Sequence, residues 1–518
     1  MAKYKTPGVY IQEIDAFGNS VIPVPTAIPV FVGYTGRTTF NGESVINKAI
    51  KINSLSQYFT FFGETLPPVQ FNLAKIASGG IQDSDFQFGN PPENFIVTPA
   101  GTIFRMDAAM KFFYANGGAD CYIMSVGGYD VTPSVADITE AIDLLKNETE
   151  PTMLLVPDAI EFSTGILSDP LATQYAGAYS ILSKMINHCG ADMQSRVAIL
   201  DVPGGYITPD ITGTPIIDAF RMNVNPILPK SNSYAAAYYP WLHTTIYQSS
   251  EISIKQLTNT SLEILQIALN NEFPDPIANK KNGLDDLIAS LTKVSTTKDD
   301  LEKADEILRN VSKFYPLVLD SILKKLNLIA PSTAMAGIFT AVDNSDGVWK
   351  APANVAVQNV IEPAVKIDHD AQEDLNVPIG GKSICAIRSF PGSGVLVWGA
   401  RTLDGNSNDW RYINVRRTLI YIEQSVKDAA KAYVFATNDA TTWVNIESMI
   451  GNFLTGLWRQ GGLVGAKPTD AFFVNVGLGT TMTNDDILNG KMIVSIGVAI
   501  SHPAEFIIVT FQQQMQKA

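Results

Sequence analysis

Residues 121–156 read CYIMSVGGYDVTPSVADITEAIDLLKNETEPTMLLV, and the hydrophobic pattern changes twice within them. Cys121–Val126 is a short apolar run of strand length. Ala136–Leu145 then puts Ile138, Ala141, Ile142 and Leu145 on one helical face, and Met153–Val156 is a second strand-like run. Val197–Val202 repeats the strand signal, so the chain from about residue 103 to 250 reads as mixed α/β. The fold class expected for the whole is α+β or mixed α/β, in several domains.

Toward the amino terminus, Val9, Tyr10, Ile11 and Ile14 follow Pro7 and Gly8 as an extended segment. Pro23, Pro25 and Pro29 punctuate the next apolar run. Proline lacks the ladder donor, so this stretch reads as an arm or edge and not a central strand. Residues 81–102, polar and rich in Pro and Gly, read as a loop or boundary. Beyond residue 250, Asp299 and Asp300 open a helix with Leu301, Ala304, Ile307, Leu308, Val311 and Phe314 as a core-facing stripe, and Pro331 ends the helical region.

The last 150 residues carry the strongest periodicities. Leu419, Ile422, Val426, Ala429 and Tyr433 form one helical stripe; Trp443, Ile446, Ile450, Phe453 and Leu457 form another, closed by Gly461 and Gly462. Met492, Val494, Ile496, Val498 and Ile500 alternate as a strand, and Phe506–Phe511 is a further β-prone run.

Composition narrows the function. The 518 residues carry 37 Lys and Arg against 51 Asp and Glu, a net charge of −14, which disfavours nucleic acid as the main partner. Three scattered cysteines, Cys121, Cys189 and Cys385, encode neither a disulfide framework nor a zinc site. Met1–Gly18 carries Lys3, Lys5, Glu13 and Asp15 without an apolar core, so Sec export is not indicated and synthesis and folding in the cytoplasm are expected. No apolar stretch reaches the roughly 20 residues of a membrane span.

Chemistry is sparse. Gly381-Lys382-Ser383 resembles the end of a phosphate loop, but Asn376 stands where its first glycine belongs, and Ile384–Ile387 is strand-like where a helix should follow. Gly477-Leu478-Gly479 lacks the third glycine of a dinucleotide fingerprint, Met482 being there instead. Gly392-Ser393-Gly394 lacks the spacing of a nucleophile elbow, with Pro391 two before the serine. His188, His243, His369 and His502 have no ligand spacing, and His369, among Asp368, Asp370, Glu373 and Asp374, reads as part of a solvated acidic loop. No catalytic residue, cofactor or metal is assigned; an α/β hydrolase or transferase, or a static tube or capsid protein, stands as the alternative.

A resemblance then emerges. Gly347–Asn354 (with Trp349, Pro352 and Asn354), Leu375-Asn376, Ile387–Gly394 (with Arg388, Pro391 and Gly392) and Val397–Leu403 (with Trp398 and Arg401) together resemble the signature of contractile tail sheath proteins. Tyr412–Arg417, Tyr421–Glu423, Thr442-Trp443 and Leu457-Trp458 with Gly461-Gly462 continue it. So do Thr6–Ile11, Phe31–Gly33, Asn116–Tyr122 and Tyr238–Trp241. Two departures stand out: Cys385 where the family has an Asn before its Ile-Arg pair, and a longer, more helical stretch over 246–330.

The resemblance implies a subunit that polymerises helically, in hexameric rings, around an inner tube and contracts to drive that tube through a target envelope. Its implied partners are itself, the inner tube protein, baseplate and terminal cap proteins, and sheath paralogues, within a phage tail or released particle. It implies a discontinuous inner core from residues 31–90 and 345–505, an inserted outer region at 91–344 with helical elaboration at 251–330, and terminal arms at 1–30 and 506–518. The exposed β-prone ends, Gly8, Val9, Tyr10, Ile11, Gln12, Glu13 and Ile14 with Phe506, Ile507, Ile508, Val509, Thr510 and Phe511, suit donation to a neighbour's sheet. Glu423, Lys427 and Lys431, four residues apart on one helix edge, suit contact with the tube, and Arg417, Trp443 and Trp458 complete the signature core.

Overall fold

The computed structural model describes residues 20–63, 66, 68–76, 84–166, 169–208, 215–274, 284–292, 298–379 and 381–508. The chain forms two compact units, one of Thr26–Asp346 with Ala351–Arg416, the other of the amino-terminal residues to Pro25, Gly347–Lys350 and the chain from Arg417 onward.

The larger unit is built on an eight-stranded sheet. In chain order its strands are β1 (Pro29–Thr35), β2 (Ala49–Ile52), β3 (Cys121–Gly128), β4 (Met153–Leu155), β5 (Val197–Asp201), β6 (Ala235–Tyr239), β7 (Cys385–Phe390) and β8 (Gly394–Val397). Across the sheet they run β8-β7-β6-β5-β4-β1-β3-β2. Neighbours from β7 to β3 are parallel, with Val30 opposite Tyr122, Pro29 opposite Met153 and Ala198 opposite Ala235, and an antiparallel strand closes each edge. Two helix pairs cover it: α1 (Met106–Ala115) with α8 (Ser332–Ser345), and α2 (Val135–Leu144) with α3 (Ala176–Asn187). Strands covered on both faces need no polar alternation, which is why the central runs Val30–Val32, Met153–Leu155 and Val197–Leu200 are apolar.

Four sequence expectations change here. Pro29 does not mark an edge: β1 is central and buried at all seven residues. The proline is tolerated because it is the first residue of the strand. Residues 81–102 are not simply a loop, since Glu93–Pro99 pairs with Phe71–Ile76 on one side and with Phe86–Phe88 on the other in a second sheet. That sheet packs its aromatics on Phe314, with ring centroids 5.6, 5.1 and 4.9 Å from Phe86, Phe88 and Phe95. The partition also differs: β1 from the expected core and β4 to β6 from the expected insertion share one sheet, so residues 26–90 and 351–416 belong with the insertion.

The fourth concerns the stripe from Leu301. Its helix, α6 (Lys298–Val311), lies between α5 (Asn259–Glu272) and α7 (Phe314–Leu326), after α4 (Pro215–Asn223). Ala304 and Leu308 are buried, but Ile307 and Val311 are largely exposed. Phe314 starts a separate helix because the Glu272 carboxylate accepts from Ser312 Oγ and Lys313 N, both at 2.6 Å, and holds the break.

Buried cations brace the larger unit. The Arg416 guanidinium lies between Trp410 and Tyr234, 3.7 and 4.2 Å from their centroids, and donates to Ser233 Oγ at 2.7 Å. Arg196 is fully buried and donates to the Leu145 and Glu148 carbonyls beside His188. Burial, then that guanidinium, pushes His188 down to about 4.

In the smaller unit, α9 (Ile413–Ala430), from Arg417 onward, and α10 (Ala440–Arg459) pack with a hairpin of β9 (Phe472–Val476) and β10 (Val494–Val498). Its core gathers Ile422, Ile446, Ile450, Leu454, Leu457 and Val474, with Val21 added from the amino-terminal segment. Asp439 caps α10 by accepting from Thr442 N, and Gly461, at φ +86°, ends it as the glycine pair predicts.

Candidate assembly site

The place where an open α/β sheet would hold a ligand is the crevice at the carboxyl ends of its strands, where the chain order reverses. Here that point lies between β1 and β4, and the chain fills it. Asp158 accepts from Tyr34 N at 2.8 Å and Arg105 N at 2.7 Å. A Cβ on Gly33 would stand 2.4 Å from Asp158 Oδ2 and 2.9 Å from Met106 Cε, so glycine is required for this close approach. Burial pushes Asp158 up to about 6, opposed by its two backbone donors. At the end of β5 a water-sized cavity of about 10 Å³ is lined by Arg105, Asp201 and Thr333 among others.

Lys382, the lysine of the phosphate-loop lookalike, is committed elsewhere. Its ammonium donates to the Arg221 and Val224 carbonyls at 2.6 Å and to Asn225 Oδ1 at 2.7 Å, capping the carboxyl end of α4. Burial lowers its pKa. Replacing it in a Lys382→Met variant strands those acceptors, and we expect about 1–3 kcal/mol of destabilisation in a denaturant melt. The expected acidic loop around His369 is instead a helix, His369–Asn376, because Asp368 caps it by accepting from Ala371 N at 2.8 Å. Among the described residues no cluster of His, Cys, Asp and Glu could hold a metal ion.

The signature residues split between the units and serve architecture. Around β7 and β8, the Asn354 N–H donates to Val397 O at 2.8 Å and Arg388 to Gln372 at 2.6 Å. Gly392 turns the hairpin after Pro391 at φ +79°, and Trp398 packs on Phe390 with centroids 4.5 Å apart. Buried Arg401 donates to the Asn376 and Gly405 carbonyls, and Pro352 is buried nearby in sequence. In the smaller unit Trp349 and Trp458 pack on the core, Trp458 donating to Gly465 O at 2.9 Å and Trp443 to Asn438 at 2.7 Å. Arg417 is buried.

One surface of the smaller unit is not closed. β9 and β10 form a two-stranded sheet with no further strand among the described residues. Beside β10 lies a cleft of about 320 Å³, floored by Leu419, Ile422 and Val426 of α9 with Ile496 and Val498, and bordered by Glu423 and Lys427. The sequence reading saw the α9 stripe and the β10 alternation; the cleft arises because the two face each other. Lys431 lies beyond the last turn of α9, paired with Asp428 at 2.7 Å, and does not line the cleft. Phe506, Ile507 and Ile508 follow β10 without regular structure, at 71, 82 and 90% exposure. Gly8–Ile14 and Val509–Phe511 lie outside the described residues.

Comparison with known proteins bears on this surface. The phage tail sheath C-terminal domain family matches residues 406–514. Over 132 residues, 25% of the chain, the sequence is 29% identical to the tail sheath protein of Vibrio phage KVP40; the match covers 19% of that protein, so the chain spans about a fifth of the length of the curated relative it matches. Over 99% of its length the chain is similar to the PVC sheath of an extracellular contractile injection system in its contracted state, at 25% identity and TM-score 0.58, covering 99% of that chain. It is equally similar to the contracted helical sheath of the anti-feeding prophage, at 25% identity, TM-score 0.58 and 100% coverage of that chain. No helix among the described residues is long and apolar enough to cross a membrane. The chain thus carries a match to the phage tail sheath C-terminal domain over residues 406–514 and, over 99% of its length, is similar to solved contractile sheaths.

Proposed function

We propose that this chain is the structural subunit of a contractile sheath, polymerising helically around an inner tube in a metastable extended state and contracting to drive the tube through a target envelope. The observation that carries this is the whole-chain similarity to two contracted sheaths, which extends to both units. The crevice filled by Asp158 and the capping role of Lys382 favour it over a hydrolase or transferase.

Subunits are linked by strand addition. The unpaired edges of β9 and β10 offer backbone donors and acceptors, and the adjoining cleft offers apolar cover for alternate side chains of an incoming strand. Phe506–Phe511 and Gly8–Ile14 are the donors. Such links are heterologous, so they build an open filament, and their main-chain bonds persist while subunits rotate. Contraction draws on a few kcal/mol per subunit stored at assembly, the scale of two-state interfaces.

The exposed edge of Glu423, Lys427 and Lys431 meets the inner tube. Hexameric rings, baseplate and cap proteins complete the particle, which is assembled in the bacterial cytoplasm. Negative-stain microscopy of the chain, alone and with inner-tube protein, is expected to show striated tubes of two lengths and diameters. Dispersed particles under both conditions would reject the sheath reading. Charge reversal at Lys427 and Lys431 is expected to impair assembly on the tube, and unchanged assembly would remove that contact.

A further inference from the structure

Six described non-glycine residues adopt positive φ: Asn41, Asn47, Gln194, Asn354 and Asn359 are amides, and the sixth is Phe435, at φ +69°. Asparagine tolerates the left-handed region through local hydrogen bonding, whereas a bulky aromatic there is an outlier. Phe435 is also fully exposed, and Val434 before it is 62% exposed. Turn bonds from Val434 N to Lys431 O and from Ala436 N to Tyr433 O hold this backbone in place. The subunit alone thus bears both backbone strain and an unburied ring, and neither is offset within it. Costs of this kind persist where a partner repays them.

The position indicates the partner. Glu423 and Lys427 lie four apart on α9, Lys431 opens the turn Lys431–Tyr433 that follows it, and Phe435 comes four residues later on the loop; all four are exposed. The ring therefore lies within four residues of the edge assigned to the inner tube and, unlike Glu423 and Lys427, does not line the cleft that receives strands. We propose that Phe435 is the apolar anchor of the tube contact, inserting into a socket on the tube subunit that is apolar at its floor and acidic at its rim. This rests on the reading that the α9 edge faces the tube. The lysines supply orientation and the ring supplies the desolvated centre, the usual division between a charged rim and an aromatic hot spot.

The test uses the full chain with Phe435→Ala, Phe435→Leu and Phe435→Gly, beside the double variant Lys427→Glu/Lys431→Glu. Each is scored for co-sedimentation with purified inner-tube filaments and for polymerisation without them. Phe435→Ala should lower the tube-bound fraction about tenfold, Phe435→Leu much less, with tube-free polymerisation unchanged in both. Phe435→Gly should raise the melting temperature of the free subunit, because glycine accepts this φ, while losing the tube as alanine does. Wild-type binding by Phe435→Ala with loss in the double lysine variant overturns the anchor and leaves the edge reading standing. Wild-type binding by both removes the edge reading as well. Equal loss of tube-free polymer, or a lower melting temperature for Phe435→Gly, makes Phe435 a sheath-to-sheath or internal residue and overturns the proposal.

Discussion

A full-length chain with Phe506→Ser, Ile507→Ser and Ile508→Ser is expected to fold, melt within about 1 °C of the native subunit, and form no sheath. Phe506, Ile507 and Ile508 are 71–90% exposed, so their replacement deletes almost no buried surface from their own subunit. On a neighbour, each apolar side chain that becomes fully buried contributes about 1.5–3 kcal/mol. Three of them reach about 5 kcal/mol before any ladder hydrogen bond is counted, which is over a thousandfold in the concentration needed to polymerise. Sedimentation and microscopy of the triple variant read this directly. Wild-type yield of tubes would show that these residues are not the donors, and a collapsed melting temperature would show that they belong to their own fold.

The second large effect is a stability that rises as the medium is acidified. Asp201, at the end of β5, is buried, and its oxygens accept from Ser332 N at 2.8 Å and Ser332 Oγ at 2.5 Å. Neither donor is a cation, so burial dominates and pushes the carboxyl up to about 7 from its usual 3.8, with the two serine bonds opposing. A raised folded pKa means the native state binds the proton more tightly. Its contribution is fully present below about pH 4 and is lost as pH rises through 7.

Asp158 acts in the same direction, up to about 6. His188 acts in the opposite one: held down to about 4, it costs stability as pH falls from 6.5 toward 4. The comparison that isolates Asp201 is therefore Asp201→Asn, whose amide can accept from Ser332 N and donate to Ser332 Oγ at every pH. The difference in unfolding free energy between the native chain and this variant should grow by about 1.4 kcal/mol per unit as pH falls from 6 to 4.5. A pH-independent difference would mean that Asp201 is ionised in the fold.

Much of the fold is legible in the chain. The largely apolar runs at 121–126, 153–156 and 197–202 became strands, and the stripes beginning at 419 and 443 became helices, as their periods indicate. These signals are local: a strand covered on both faces is largely apolar, and a helix with one buried face repeats every three to four residues. The motif lookalikes were also separable from spacing, and the structure gives Lys382 its capping role.

What failed were inferences about neighbours. Pro29 argues against a central strand only if it falls inside one, and whether it is the first residue depends on where β4 pairs. The boundary near residue 90 dissolved because β1 takes β3 and β4 as partners, a choice set by long-range pairing that carries no local mark. Phe435 carries no mark in the sequence, since a left-handed φ is invisible there unless glycine or asparagine announces it.

By itself, then, the sequence determined most of the elements, the resemblance to contractile sheaths and the lack of a spaced catalytic motif in its residues, because each is written in residue types at short separations. The tertiary structure alone decided that α9 and β10 face each other across an apolar cleft, that Asp158 fills the crevice between β1 and β4, and that Asp201 is sealed beneath Ser332. Those contacts join residues from tens to more than a hundred positions apart. Their energies come from burial and hydrogen bonding that exist only once the chain has closed on itself.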